Sequence, residues 1–401
     1  MITTAGTLTV GELRAATHGL IKQGAGTLVL SSTGTAGGND GSRIAGVLNV
    51  AGGTLQMNRL FTFGTDSGDL TVGGLTGNGS VVNGAMEERW LVVNSAGTHD
   101  FTGTLANGDT GALGFNKQGS GTQTLSGALS YTGATTLDGG TLVISGANTG
   151  FGTNANVNSG TLVLANSSAL GMTSLIRPAG NNVSSVVFAT DSDDNVYNFT
   201  MGTGTVTTIV SDRATPGAGI EHKLNTQFGA NGVGGGTINF TSGANVTSGE
   251  GRISFAQFGL GSGITGAVTT LNPTTANVTI GDVPKSNNTI AQTLDLGGSS
   301  QANHITGSIS NGTATVAVTK SGTSTWTLSG MNFYTGATNI AGGTLLVQGS
   351  IEGSVNVNVN TGTLGGAGSV MSLLNVGDNT GTQDAILSPG NGIGTLTNWA
   401  G

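Results

Sequence analysis

The chain has 401 residues, of which 74 are glycine, and only 8% are charged, against about 25% in an ordinary soluble domain. Five prolines and a formal net charge of −8 do not give the charge- and proline-rich composition of a disordered protein, and the glycines lack the three-residue period of collagen. The 12 Lys and Arg residues are scattered, and no window approaches the roughly 18 apolar residues of a transmembrane helix, so we expect no nucleic-acid partner and no membrane insertion by this chain.

The amino-terminal segment is rich in Gly and Thr, which favours short strands and turns. Val10 to Lys22 has the most helix-like pattern, but it contains two glycines and runs into a strand-like segment, so we interpret it as strand or loop. The residues from Met1 onwards have neither the basic nor the apolar region of a signal peptide. We expect that such a signal was removed or that export uses another route.

Three segments of the chain repeat one another. Each begins with Lys-x-Gly and ends with Gly-Gly-Thr-Leu and a short apolar run, and the second and third also share Tyr-Thr-Gly-Ala-Thr. The first Lys and the Thr of Gly-Gly-Thr-Leu stand at positions 117 and 141 in the second segment and at 320 and 344 in the third, which is the same spacing. In the first segment they stand at 22 and 54, further apart because of a polar insertion at 32–43. The repeats are Lys22–Met57, Lys117–Ile144 and Lys320–Val347.

The repeats predict the fold class. Their apolar runs, such as Thr27–Leu30 and Thr141–Ile144, are bounded by Gly or Asn, which indicates short strands joined by turns. Sandwiches and propellers build such strands as hairpins, and propeller blades need near-equal lengths, whereas the repeats begin at unequal intervals, at positions 22, 117 and 320. The sequence therefore predicts an all-β fold, a single-stranded parallel β-helix (β-solenoid) with coils of about 20–25 residues.

We expect three consecutive regions of this solenoid. Residues 1–175 hold β-helix coils with two repeat copies (22–57 and 117–144), and residues 176–315 hold divergent coils with longer loops. Residues 316–401 hold the third copy and the carboxy-terminal coils.

The recurring polar residues of the repeats have two interpretations each. Lys22, Lys117 and Lys320 could form a basic stripe for a ligand, but a solvated lysine at a coil corner is favoured. Tyr131 and Tyr334 could form a platform for sugars, but an aromatic stack along the coils is favoured.

The densest acidic cluster is a candidate for an enzyme site. Asp191, Asp193 and Asp194 could form a catalytic carboxylate pair or a calcium site, although a polar turn is the favoured interpretation. The four histidines show no metal-ligand spacing, and His99 and His222 have the neighbours of surface residues. We therefore predict no catalytic, cofactor-binding or metal-ligating residue, no cofactor, and a protein that is not an enzyme.

The motif Lys-x-Gly-x-Gly-Thr-x-x-Leu-Ser-Gly, followed by Tyr-Thr-Gly-x-Thr and Gly-Gly-Thr-Leu, resembles the autotransporter-associated β-strand repeat, also called the passenger-associated transport repeat. The segments Gly362–Val370 and Leu387–Leu396 resemble the coils that follow the last such repeat. The resemblance implies a passenger-like β-helix that is exported to the bacterial cell surface or the extracellular space.

These observations predict an extracellular structural protein that acts as a scaffold, an adhesin or a self-assembling filament or sheath subunit. We expect homo-oligomers formed by end-to-end or lateral stacking, because β-helix ends without caps expose unpaired strands, and surface glycans are a candidate ligand. The alternatives are a carbohydrate-active β-helix enzyme and a glycan-binding adhesin.

Overall fold

The computed structural model describes residues 1–11, 13–15, 17–31, 42–58, 69–108, 111–150, 154–171, 175–178, 183–193, 197–201, 204–224, 227–261, 264, 266–284, 289–378, 384–390 and 397–398. The chain divides into two compact units, one formed by Met1–Arg177 with Ser184–Val186 and the other by Pro178–Val183 with Val187–Gly401. Within the described ranges, the regular elements are β-strands joined in parallel ladders. The predicted division at 175/176 and 315/316 stays a prediction.

The strands of the first unit are short. They are β1 (Ile2–Thr3), β2 (Thr7–Val10), β3 (Arg14–Ala15), β4 (Leu20–Gln23), β5 (Thr27–Leu30), β6 (Ser42–Val50), β7 (Thr54–Met57), β8 (Leu70–Gly77), β9 (Ser80–Asn83), β10 (Arg89–Asn94), β11 (Thr98–Phe101), β12 (Thr104–Ala106), β13 (Leu113–Gln118), β14 (Thr122–Leu125), β15 (Leu129–Ser130), β16 (Thr135–Leu137), β17 (Thr141–Ile144), β18 (Asn154–Val157) and β19 (Gly160–Leu164). The expectation of strand or loop from Val10 to Lys22 is confirmed, because β3 and the start of β4 fall there.

Two strands, β20 (Leu175–Pro178) and β21 (Val183–Ala189), contain residues of both units. The strands of the second unit are β22 (Asn198–Phe199), β23 (Thr205–Asp212), β24 (Gly217–Ala218), β25 (Glu221–Lys223), β26 (Gln227–Val233), β27 (Gly236–Ser242), β28 (Val246–Ser248), β29 (Gly251–Leu260), β30 (Val268–Pro273), β31 (Ala276–Asp282), β32 (Gln292–Leu296), β33 (Asn303–Ile305), β34 (Val316–Lys320), β35 (Thr325–Leu328), β36 (Met331–Asn332), β37 (Thr338–Val347), β38 (Ser350–Ile351), β39 (Asn356–Gly366), β40 (Ser369–Val370), β41 (Leu373–Val376), β42 (Ala385–Pro389) and β43 (Thr397–Asn398).

Each coil of the first unit passes through three faces. Face 1 is the ladder that contains β10, β13, β16 and β18, and face 2 is the ladder that contains β11, β14, β17 and β19. Face 3 contains β2, β5, β7, β9, β12 and β15. The longer strands β6 and β8 run through faces 1 and 2, and β4 pairs with the face 2 part of β6.

The second unit has the same plan. One ladder contains β23, β27, β30, β32 and β34, and a second contains β25, β29, β31, β33 and β35. The long strands β37 and β39 continue both ladders, and β36, β38 and β40 form a third, short one. The predicted parallel β-helix is therefore confirmed in each unit.

The interior is built from alternate residues of the central strands. In β17, Leu142 and Ile144 are buried, whereas Thr141 and Val143 are half-buried on the outer side. Parallel register places Ile144 between its partners in the two neighbouring coils, both of which are leucines. Similar apolar residues therefore stack along the solenoid axis and fill its core, which is the way a β-helix buries apolar surface.

Coil length varies most in the divergent part of the chain. Ladder partners lie one coil apart along the chain, so the distance in sequence between them gives the length of the coil. Thr122 pairs with Thr141 in the second repeat, which gives a coil close to the predicted length. Thr205 pairs with Gly236, and Gly236 pairs with Thr269, so each of these two coils is more than one and a half times as long as the repeat coil. They exceed the predicted coil length mainly because their strands are longer: β23, β27 and β29 have 8, 7 and 10 residues, whereas β14, β16 and β17 have 4, 3 and 4.

Candidate functional site

The lysines that open the three repeats point into the fold. Lys22, Lys117 and Lys320 each expose 0% of their surface. The favoured interpretation as solvated corner residues is therefore wrong. A basic stripe does not fit either, because the chain turns from face 2 to face 3 after Lys22 and from face 1 to face 2 after Lys117.

The ammonium group of the second repeat lies among backbone carbonyls. Nζ of Lys117 donates to the carbonyl oxygens of Gln118 at 2.6 Å, Gly119 at 3.0 Å and Gly139 at 3.3 Å. The first two belong to the turn that follows the lysine, and Gly139 belongs to the equivalent turn of the next coil. We call this arrangement of one lysine ammonium and the carbonyls around it a lysine nest.

The other two repeats have the same nest. Nζ of Lys22 donates to the carbonyls of Gln23 at 3.2 Å, Gly24 at 2.8 Å and Gly52 at 2.8 Å. In the third repeat, Nζ of Lys320 donates to the carbonyl of Ser321 and, at 3.3 Å, to that of Gly342. In each nest, the partner in the next coil is the first glycine of Gly-Gly-Thr-Leu.

The second glycine of that pair is required by geometry. Gly53 and Gly343 both have a φ of 63°, in the left-handed region that side chains disfavour. A Cβ on Gly53 would lie 2.3 Å from the carbonyl oxygen of Gly26, and one on Gly343 would lie 2.5 Å from that of Ser324; each would also lie 2.7 Å from the lysine Nζ of its nest. The tight left-handed turn therefore requires the glycine, and the nest adds to that requirement. The sequence contains a signal that could have indicated the nest. In all three repeats a lysine is followed two residues later by Gly, in segments that have almost no other charged residue.

Burial shapes the acid–base behaviour of the nests. It lowers the pKa of Lys117 to about 8 and the pKa of Lys320 to about 8, against 10.5 for an unburied lysine. The nearby carboxylate of Asp295 opposes part of this effect on the pKa of Lys320. The carbonyls of the nest supply the hydrogen bonds that a buried amine needs.

The repeat tyrosines are also internal. Tyr131 and Tyr334 expose 0% of their surface, so a sugar platform formed by their rings is excluded. Each hydroxyl shares a hydrogen bond with the threonine four residues later, Thr135 at 2.6 Å and Thr338 at 2.7 Å. This explains Tyr-Thr-Gly-Ala-Thr, because its last threonine satisfies the buried hydroxyl. An aromatic stack along the coils stays a prediction for these tyrosines.

One inward position differs between the repeats. It holds Leu28, Gln123 and Trp326, all of them completely buried. Nε1 of Trp326 donates to the carbonyl of Gly297 at 3.0 Å. The amide of Gln123 binds the main chain of Leu75, accepting from its N–H at 3.1 Å and donating to its carbonyl at 3.0 Å.

The acidic cluster is held by neighbouring polar groups. Asp191 accepts hydrogen bonds from Nε of Arg213 at 2.9 Å and Oγ1 of Thr215 at 2.7 Å, and Asp193 accepts one from Nζ of Lys223 at 3.0 Å. The hydroxyl of Thr215 and the guanidinium of Arg213 lower the pKa of Asp191, and Lys223 lowers that of Asp193.

These partners favour the ionised form of both carboxylates and connect the Asp191–Asp193 segment to the turn after β23 and to β25. Asp194 lies outside the described residues. The geometry agrees with a polar turn between strands.

His222 departs from its expected position. It exposes 0% of its surface, so its interpretation as a surface residue is wrong. Its Nε2 lies 2.7 Å from the carbonyl oxygen of Asp212, and its ring packs 5.8 Å from that of Phe188. Burial lowers the pKa of His222, which favours the neutral ring. Its contacts with Asp212 and Phe188 place it in the core. The sequence did not indicate this, because the residues on both sides of His222 are charged.

The other histidines lie apart. His18 is exposed and shares a hydrogen bond of 2.7 Å with Thr17, and His99 and His304 are half-buried. In the part of the chain that the structure describes, no group of three His, Asp or Glu side chains is arranged to hold a metal ion. A helix long and apolar enough to span a membrane is likewise not found among those residues.

Comparison with known proteins gives one family. The model of the passenger-associated-transport-repeat matches residues 20–57, 115–144 and 318–347, the segments that contain the three nests. Searches of curated proteins and of solved structures give no match. The chain is therefore a parallel β-helix protein that carries three passenger-associated-transport repeats, a combination that fits a passenger-like surface protein of the autotransporter type.

Proposed function

We propose that this protein is a non-enzymatic structural protein of the bacterial surface or extracellular space, a β-helix that serves as a scaffold and displays its outer residues to a partner. The observation that carries the proposal is the placement of the repeat residues. In all three repeats the buried Lys donates to backbone carbonyls, among them that of the first glycine of Gly-Gly, and in the second and third repeats the buried Tyr bonds a neighbouring threonine. A repeat used in this way specifies architecture and leaves its outer side free for binding.

The outer side suits a display surface. Thr98, Thr122, Thr141 and Thr161 follow one another in register across four coils of face 2. All four are exposed or half-buried, whereas Gln123, Leu142 and Leu162, which follow the last three, are buried in the core. Substitutions at such outer positions change the surface without disturbing the interior, which is how a solenoid acquires a binding surface.

The first test is where the protein resides. In the bacterium that produces it, antibodies against the folded chain should label intact cells or the medium, and protease added to intact cells should remove the cell-associated signal. Protection of the protein until the cells are broken would contradict the proposal, because a scaffold of the surface must be reachable from outside.

We further propose that the molecules associate with one another, by end-to-end or lateral stacking. The support is general: parallel ladders expose hydrogen-bonding groups wherever a strand edge is uncovered, and identical edges pair readily. Electron microscopy of the purified chain over a concentration series tests this. Fibres of uniform width that grow with concentration are expected, and particles that stay single at every concentration would rule out self-assembly and leave the display function.

A carbohydrate-active enzyme or a glycan-binding adhesin is the second candidate function. The observation in its favour is the acidic segment around Asp191 and Asp193, because carboxylates serve both glycoside hydrolysis and sugar binding. The test compares the wild-type chain with a variant in which Asp191, Asp193 and Asp194 are all replaced by Asn, on a glycan array and on a panel of polysaccharides. Binding or cleavage by the wild type that the variant loses would establish this candidate. Equal binding or cleavage by both proteins would show that the acidic segment is not the site, and a wild type that neither binds nor cleaves any glycan would dismiss the candidate.

A further inference from the structure

We propose that the three lysine nests are locks between successive coils, so that local opening of this protein begins in the coils outside the repeats and the repeats open last. The inference concerns the conformational behaviour of the fold and does not depend on where the protein acts.

The first step of the argument is the hydrogen bonding of the glycine carbonyls. Among the described residues, the hydrogen bonds accepted by the carbonyls of Gly119 and Gly139 come from Lys117. The carbonyls of Gly24 and Gly52 depend on Lys22 in the same way. The glycines themselves are half-buried or, at Gly24, exposed, but the donor amine is completely buried. Loss of the amine would remove charge-assisted hydrogen bonds from a donor that water does not reach, which costs more than the loss of a bond at the surface.

The second step is the position of the ammonium group between two coils. Around Lys117, the backbone already links these coils, because the N–H of Asp138 donates to the carbonyl of Lys117 at 2.8 Å and that of Thr141 donates to Gly121 at 3.0 Å. Between these two backbone hydrogen bonds lie the turns of the two coils, and the lysine donates a hydrogen bond to each turn. One side chain therefore connects the coils where the left-handed glycines interrupt the backbone ladder.

The third step is a comparison with a corner outside the repeats in the second unit. The turn after β23 is held by Asp212, whose Oδ1 accepts the N–H groups of Arg213 and Asn245, both at 2.9 Å. This carboxylate is only half-buried, and Thr215 and Gly249 nearby are exposed, so water reaches this turn. The lysine amine of each nest, in contrast, is completely buried. Hydrogen bonds that water can replace open at lower free energy than those of a buried donor, so this corner should open before a lysine nest.

Native-state hydrogen exchange followed by mass spectrometry tests the lock. In the wild-type chain, peptides covering 117–144 and 318–347 should exchange more slowly than peptides covering 212–250. In Lys117→Met, which keeps the length of the side chain but donates no hydrogen bond, the 117–144 peptides should exchange at least about tenfold faster, as expected for the loss of hydrogen bonds from a charged donor. The 318–347 peptides of the same variant should be unchanged.

Lys223→Met is the matched control. It also removes one positive charge, but Lys223 is about half exposed and donates to Asp193 at the surface. The lock is refuted if Lys117→Met exchanges like the wild type, or if Lys223→Met accelerates the 117–144 peptides to the same extent. It is also refuted if the 212–250 peptides of the wild type are the best protected.

A measurement on the wild-type chain covers the case in which Lys117→Met does not fold. Brief amine labelling is carried out in a series of urea concentrations below the global transition. The nest lysines should become reactive only with global unfolding, after the 212–250 peptides have lost their protection from exchange. Labelling of Lys117 or Lys320 at urea concentrations that leave those peptides protected would refute the proposal.

Discussion

At the scale of single residues, two adjacent glycines of the first repeat carry different constraints. A Cβ on Gly52 would find its nearest atom 3.6 Å away, an ordinary contact. Gly53 has a φ of 63°, and its Cβ would lie 2.3 Å from the carbonyl oxygen of Gly26 and 2.7 Å from Nζ of Lys22. We expect Gly53→Ala to lower the free energy of unfolding by about 1–3 kcal/mol, the usual range for strain in this region of the backbone.

Gly52→Ala is the control for this prediction, and it should change stability by less than about 1 kcal/mol. Urea denaturation of the two variants beside the wild type provides the measurement. Equal loss of stability in both would mean that the pair is needed for a reason other than the left-handed turn and the nest.

The lysines differ in their access to solvent, and this predicts their reactivity. Lys22, Lys117 and Lys320 are completely buried, whereas the Lys223 side chain is 53% exposed. A short pulse of an amine-acylating reagent on the native protein should therefore modify Lys223 at least about tenfold faster than the three nest lysines, since reaction at a buried group needs local opening. Peptide mapping by mass spectrometry reads out each site, and the same pulse in strong denaturant should remove the difference.

At the scale of a strand, Gln123 in β14 shows how a repeat can depart from its apolar pattern. The homologous inward positions hold Leu28 and Trp326, so the pattern alone suggests that Leu at 123 would be an improvement. The structure predicts the opposite, because the Gln123 amide replaces a missing ladder partner for the N–H and carbonyl of Leu75. Gln123→Leu should lower the free energy of unfolding by about 1–3 kcal/mol.

Gln118→Leu is a suitable control for that experiment, because the Gln118 side chain is on the half-buried outer side of β13. Its effect on urea denaturation should stay within about 0.5 kcal/mol, as for most surface substitutions. A Gln123→Leu variant as stable as the wild type would indicate that the main chain around Leu75 finds other partners.

At the scale of the whole molecule, the sequence predicted the architecture better than the sites. The recurrence of a Lys-to-Gly-Gly-Thr-Leu segment about one coil long was enough for the parallel β-helix, because like residues must stack in register to fill its core. The burial of Lys117 and His222 was not predicted. General propensity places Lys outside, and only the fold brings the carbonyl of Gly139, 22 residues away, within reach of its amine. The same holds for the carbonyl beside His222.

The last prediction concerns the pH dependence of stability, which combines these buried groups. The pKa of Lys117 and of Lys320 is about 8 in the folded protein and 10.5 when unburied, so between these values the unfolded chain binds more protons. The free energy of unfolding should therefore rise as pH increases from about 8 towards 10. Burial raises the pKa of Tyr131 from 10.0 to about 12, and that of Tyr334 is raised as well, so above about pH 10 the unfolded chain loses tyrosine protons first and stability should fall.

Urea denaturation from pH 7 to 11 should thus give a maximum near pH 10. Replacing both Lys117 and Lys320 with Met should flatten the rise below the maximum, and Tyr131→Phe should reduce the fall above it, whatever each variant does to stability at pH 7. A steady decrease of stability from pH 8 to 10 would show that the carbonyls of the nests favour the ammonium form more than burial disfavours it. The shape of this curve therefore measures whether desolvation or hydrogen bonding dominates in the nests, and it does so in the intact chain.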